Sequence, residues 1–160
     1  MTFAPTFGFT YQAPFDDPRV REAVALAIPK EILVPAALGS GGAPAYTFLA
    51  AGFPGSFEQT PEAKTLQSYN PERAKQLLAD AGYPDGKGFP ELVLRCTPIG
   101  GQGPIIMTQG IAAELGKVLG IKAEVTGKGM EPDRAGVRGS HWPDDYGLGE
   151  FWFTTYIKKM

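Results

Sequence analysis

The stretch HWPDDYGLGE near the end of the chain gathers side chains that can do chemistry: His141, Asp144, Asp145 and Glu150. Paired carboxylates can share general acid–base work, and all four residues are metal-ligand types. The spacing specifies neither role, because no ligand interval is present and a solvated turn before a strand uses Asp for capping in the same way. A small hydrolase working through Asp144 and Asp145 is the enzyme reading this stretch offers. Cys96, the single cysteine, follows Leu92, Val93, Leu94 and Arg95. A nucleophilic thiol needs a base and the chain has 1 His, so an inward-facing strand residue is the better reading. IGGQGP, between an expected strand and an expected helix, suggests a phosphate cradle, since glycine lets backbone N–H groups approach an anion. It matches neither dinucleotide nor P-loop spacing, and Pro104 removes a donor from the first turn. These residues give no reason to expect a catalytic group, a metal or a cofactor.

The chain around them has 160 residues, of which 43% are hydrophobic, enough for one packed domain. Its 21 Gly and 15 Pro are scattered between periodic segments, which predicts many turns rather than a fibrous repeat. A formal net charge of −2 without a basic cluster excludes nucleic acid as an expected partner. No apolar run approaches the roughly 20 residues that span a bilayer. The first residues also lack the pattern of a secretory signal, so an exported form is expected to carry its signal upstream.

Several elements are punctuated clearly. In PFDDPRVREAVALAI, Asp17 caps a helix, Pro18 occupies its first position and Glu22 is expected near the positive end of the dipole. Val20, Ala23, Val24, Ala27 and Ile28 share one face. Pro29 ends or kinks this helix, and KEILVPAAL predicts a short second one. Residues 39–69 show no sustained period and read as a covering segment pinned by Tyr46, Phe48, Leu49 and Phe53. Asn70 and Pro71 start the next helix, with Ala74, Leu77, Leu78 and Ala81 on its apolar face. Gly82 and Pro84 stop it. A strand is expected over Glu91–Thr97, and a helix over Pro104–Leu119 with Ile111, Ala112, Leu115, Val118 and Leu119 inward, ended by Gly120. IKAEVTG is the following strand. Strand, helix and strand within about 36 residues predict a crossover joining two parallel strands. YGLGEFWFTTYI, rich in aromatic and β-branched residues, is a further strand.

Three of these stretches resemble one family. PFDDPRVREAVALAIPKEIL is similar to a segment of the large extracellular solute-binding proteins of peptide-type ATP-binding-cassette (ABC) importers, written P-F-D-D-x-R-V-R-x-A. YNPERAKQLLADAGYPDGKGFPELVL and IAAELGKVLGIKAEV resemble two further segments, and the likeness spans about residues 7 to 126. The matched positions are caps, core faces and turns, so they specify a fold and not a ligand. The family pattern continues A-I-D-R where Ala27, Ile28, Pro29 and Lys30 stand here.

The resemblance implies an α/β fold, one lobe of a two-lobed periplasmic-binding-protein-like clamp, with a mixed sheet, flanking helices and a strand–helix–strand crossover. Residues 1–160 would form a single domain, an excised C-terminal lobe, since full-length members are about three times this length. It further implies binding of a small solute, oligopeptides foremost and nickel chelates or oligosaccharides next, for import through a membrane permease and an ATPase. The location implied is periplasmic or extracellular, membrane-associated. Peptide-binding members place an Asp in a W-x-A-D-Y motif. If Trp142 to Tyr146 is that motif, Asp145 is the carboxylate that receives a peptide amino terminus and Tyr146 stands beside it. In a second alignment DDYGLGEFWFT is the preceding strand and the ligand Asp has no counterpart. The second is preferred, because the first deletes a sheet strand. Trp152 and Tyr156 share one face of that strand, and Phe151 and Phe153 the other. One face is a candidate cleft wall, because aromatic walls suit such sites. A stand-alone protein-interaction module is a further alternative, and a lobe without its mate is expected to self-associate.

Overall fold

A computed structural model of the chain describes residues 5–8, 13–47, 60–95, 102–126 and 147–152. The elements, in order, are β1 (Pro5–Gly8), α1 (Pro18–Leu26), α2 (Lys30–Leu38), α3 (Pro61–Gln67), α4 (Pro71–Asp80), β2 (Leu92–Arg95), α5 (Gly103–Leu119), β3 (Ala123–Thr126) and β4 (Gly147–Trp152). Short 3-10 turns stand at Gly39–Gly41 and Pro84–Gly86.

The helices begin and end as their punctuation predicts. The Asp17 side chain accepts the Arg19 amide at 2.8 Å and Pro18 opens α1. Arg19 returns the contact at 2.6 Å, and its side-chain hydrogen bond holds the Asp17 carboxyl below the usual range. Glu22 falls in the second turn, so no acid occupies the first, and it faces Arg73 at 4.0 Å instead. Pro29 separates α1 from α2, and the two meet at a 60° bend. The Asn70 side chain accepts the Arg73 amide at 3.0 Å, and the Asn70 amide donates to Leu26 at the end of α1 at 2.9 Å. At the other end, Arg19 donates to the Asp80 carbonyl at 2.8 Å. The two helices therefore lie antiparallel, fastened at both ends. α4 closes with paired bonds, Tyr83 N–H to Leu78 and Gly82 N–H to Ala79, which satisfy carbonyls the helix leaves open.

The sheet order is β1-β4-β2-β3. β2 is parallel to both β3 and β4, while β1 runs antiparallel to β4, so the sheet is mixed as expected. The expected crossover is β2-α5-β3, and its strands are direct neighbours. β1 was not expected; Pro5 and Gly8 disguise it, and a strand holding Pro belongs at a sheet edge, where it lies. α3 corrects the expectation of an aperiodic stretch through residue 69. It is one seven-residue helix opened by Pro61 with Glu62 in its first turn.

Leu92 and Leu94 are fully buried against the α5 residues Ile111, Leu115, Val118 and Leu119, joined by Val20, Val24, Leu77 and Leu78. Phe15 is also buried, and its ring meets Phe89 edge-on at 5.9 Å. Thr108 is buried and polar, and its hydroxyl donates to the Pro104 carbonyl at 2.8 Å. The turn after α4 then docks on the end of α5. A Cβ at Gly86 would lie 2.6 Å from the Gly120 carbonyl, and one at Gly120 would lie 2.3 Å from the Asp85 oxygen. Both glycines have positive φ, +71° and +69°. This contact fixes where β2 and β3 begin, and the Leu92 amide donates to Lys122 at 2.9 Å.

Candidate functional site

In α/β sheets, ligands bind outside the carboxyl ends of the parallel strands. Here those ends are level: Arg95, the last residue of β2, is registered opposite Thr126 of β3 and Gly149 of β4. β4 then runs three residues further, with Glu150, Phe151 and Trp152 registered against Phe7, Thr6 and Pro5 of β1. The crossover makes α5 return from this same edge, so its first turn begins there.

The end of α2 reaches the edge as well. A Cβ at Gly103 would lie 2.8 Å from Leu38 and 2.9 Å from the Ala37 carbonyl, and one at Gly110 would lie 2.5 Å from Leu33. These two glycines, one face of α5, let α2 pack closely and antiparallel against it. α2 buries none of its own residues fully, although Leu33, Val34 and Ala37 pack on the core. Leu38 is 39% exposed and Ile106, in the first turn of α5, is 45% exposed. The edge is thus lined by apolar side chains at the junction of α2 and α5, where a solute with apolar parts can be desolvated. Sequence reading missed both residues; the signal for Ile106 was that it falls outside the phase of α5's buried face, while Leu38 continues the Val34 side of α2 and carried none.

Of the expected site residues, Trp152 stands at the last described position of β4. Its backbone is registered opposite Pro5 of β1, three residues beyond the pairing of Gly149 with Arg95. Asp145, Tyr146 and Tyr156 lie outside the described residues, as do His141, Asp144, Cys96, Phe48, Leu49 and Phe53. Tyr46 is described, and its hydroxyl donates to Glu31. That bond holds the Glu31 carboxyl below its ordinary range. The α5 N-terminus has no side-chain cap, and Pro104 stands at its start as expected. Among the described residues there is no group of His, Cys, Asp and Glu that could hold a metal ion, and no helix long and apolar enough to cross a membrane.

A parallel β2-α5-β3 unit, a third parallel strand beside it and an antiparallel edge strand define an α/β lobe of the two-lobed periplasmic-binding-protein kind. Residues 1–144 match the model of the bacterial extracellular solute-binding proteins, family 5 (Middle), and the chain belongs to that family. The glutathione-binding protein GsiB of Salmonella typhimurium is 38% identical over 77 residues, 47% of this chain and 14% of that protein. The periplasmic oligopeptide-binding protein OppA of the same organism is 40% identical over 73 residues, 45% of this chain and 13% of its own. The crystal structure of a mannohexaose-bound periplasmic oligopeptide-binding protein from Thermotoga maritima is 27% identical with a TM-score of 0.68, covering 94% of this chain and 30% of that one. The matches therefore span 14% or less of these two curated relatives.

Proposed function

We propose that the chain is one lobe of a longer exported solute-binding protein, which holds a small solute, an oligopeptide first, between this lobe and an N-terminal mate. The solute would pass to a membrane permease driven by an ATPase, as an ABC importer requires. The observation that carries this reading is family membership over residues 1–144, joined to the parallel register of β2, β3 and β4. Trp152, with Tyr156 after it in the sequence, is the aromatic wall of the site; Asp145 with Tyr146 is its polar approach only in the alignment that makes Trp142 to Tyr146 the W-x-A-D-Y motif. In the strand register Trp152 stands beyond Arg95 and Thr126, the last residues of β2 and β3, which suits contact with a solute that the other lobe covers. The protein works outside the inner membrane and catalyses nothing. An oligosaccharide is the second reading, favoured by the mannohexaose in the Thermotoga maritima neighbour. Native mass spectrometry of the gently purified protein tests both. A retained peptide mass is the expected result; a retained sugar favours the second reading, and turnover lost in Asp144→Asn or Asp145→Asn would overturn both in favour of a hydrolase.

A further inference from the structure

Lys30 opens α2 at the end remote from the candidate edge. Its ammonium donates to the Gln67 carbonyl at 2.7 Å and to Gln67 Oε1 at 3.3 Å. The same nitrogen stands 5.7 Å from the centroid of the Tyr46 ring, within cation–π range. The next residue, Glu31, accepts the Tyr46 hydroxyl. One helical turn therefore grips Tyr46 by face and by hydroxyl while reaching 37 residues along the chain to Gln67.

Gln67 is the last residue of α3, so its carbonyl is one the helix leaves unpaired, at the negative end of the dipole. A cation placed there answers both needs. α3 has only 7 residues, too few to persist as a helix in water without tertiary support. Desolvation at this half-buried position lowers the Lys30 pKa from the usual lysine value, opposed by the charge of Glu31. That cost is tolerated because the ammonium is met by a carbonyl, an amide oxygen and a ring.

We propose that Lys30 is a conformational clasp, tying both α3 and the Tyr46 stretch to the first turn of α2. Because α2 lies along α5 and ends at Leu38, the clasp also anchors the remote end of the helix that lines the candidate site. The clasp stands whatever the solute is. The test is hydrogen exchange by mass spectrometry on the protein with Lys30→Met and Lys30→Arg. In Lys30→Met the amides of residues 64–67 are expected to exchange about tenfold faster or more, with α1, α4 and α5 unchanged and Lys30→Arg partly protected. Unchanged exchange in α3, equal acceleration of every helix, or loss of the fold in Lys30→Met would each overturn a local clasp. Glu31→Gln separates the two arms: exchange at Tyr46 and Thr47 should rise while residues 64–67 stay protected, and acceleration of α3 in this variant would also contradict the assignment.

Discussion

Replacing Gly86 or Gly120 by alanine tests the contact that seats the turn after α4 on the end of α5. Both have positive φ, and each Cβ would meet backbone, not a movable side chain tip. Gly88 is the matched control: its φ is +79° and a Cβ there meets nothing within 4 Å. Gly88→Ala therefore carries only the left-handed strain, about 1–2 kcal/mol. Ordinary contact starts at 3.4 Å, so a Cβ at Gly86 must gain 3.4 − 2.6 = 0.8 Å and one at Gly120 must gain 3.4 − 2.3 = 1.1 Å. Overpacking that forces backbone apart adds about 1–3 kcal/mol. The expected totals are thus about 2–5 kcal/mol for Gly86→Ala and Gly120→Ala, with Gly120→Ala the larger. The double variant should cost less than the sum, because the gap is opened once. Urea unfolding followed by circular dichroism and by fluorescence, with coincident transitions and unchanged slope, gives the differences. If Gly86→Ala costs no more than Gly88→Ala, the backbone contact is not what requires glycine there.

Asn70→Ala should cost about 1 kcal/mol in the same assay, since it removes the acceptor for the Arg73 amide. Leu94→Ala empties a fully buried strand position and should cost about 2–5 kcal/mol, whereas Ile32→Gln, 67% exposed in the wild type, should stay within about 0.5 kcal/mol. The Glu31 carboxyl has a lowered pKa in the folded state, so its stabilisation is complete above the ordinary carboxylate range and is lost as pH falls through the lowered value. Tyr46→Phe should move the Glu31 titration, followed by carboxyl NMR, back up toward the ordinary value. Trp152→Ala should weaken solute binding about tenfold or more by calorimetry if Trp152 walls the site; unchanged affinity would remove it.

What was legible in the sequence was local. Asn70, Pro71 and Gly82 state the limits of α4, and the period of Ile111, Leu115, Val118 and Leu119 gives the buried side of α5, because caps and amphipathic faces are set within a few residues. α3 was not legible: its helical state depends on Lys30, distant in sequence, and seven residues hold too little period to be seen. β1 was hidden by Pro5 and Gly8, which are tolerated only because pairing with β4 leaves it at an edge. The insertion of β4 between β1 and β2 is likewise a long-range outcome that no local pattern states. At the site, Trp152 was singled out from its strand, but Leu38 and Ile106 were not, since their role comes from the close packing of α2 on Gly103 and Gly110.

Reversible binding of a small solute is tested by isothermal titration of the protein encoded by the complete native reading frame with defined tri- to pentapeptides, and with mannohexaose in parallel. Saturable binding of about one solute per protein is expected, with the solute recovered chemically unchanged. Conversion of the peptide to products, or no heat of binding with any peptide or sugar from a protein shown to be folded, would contradict it.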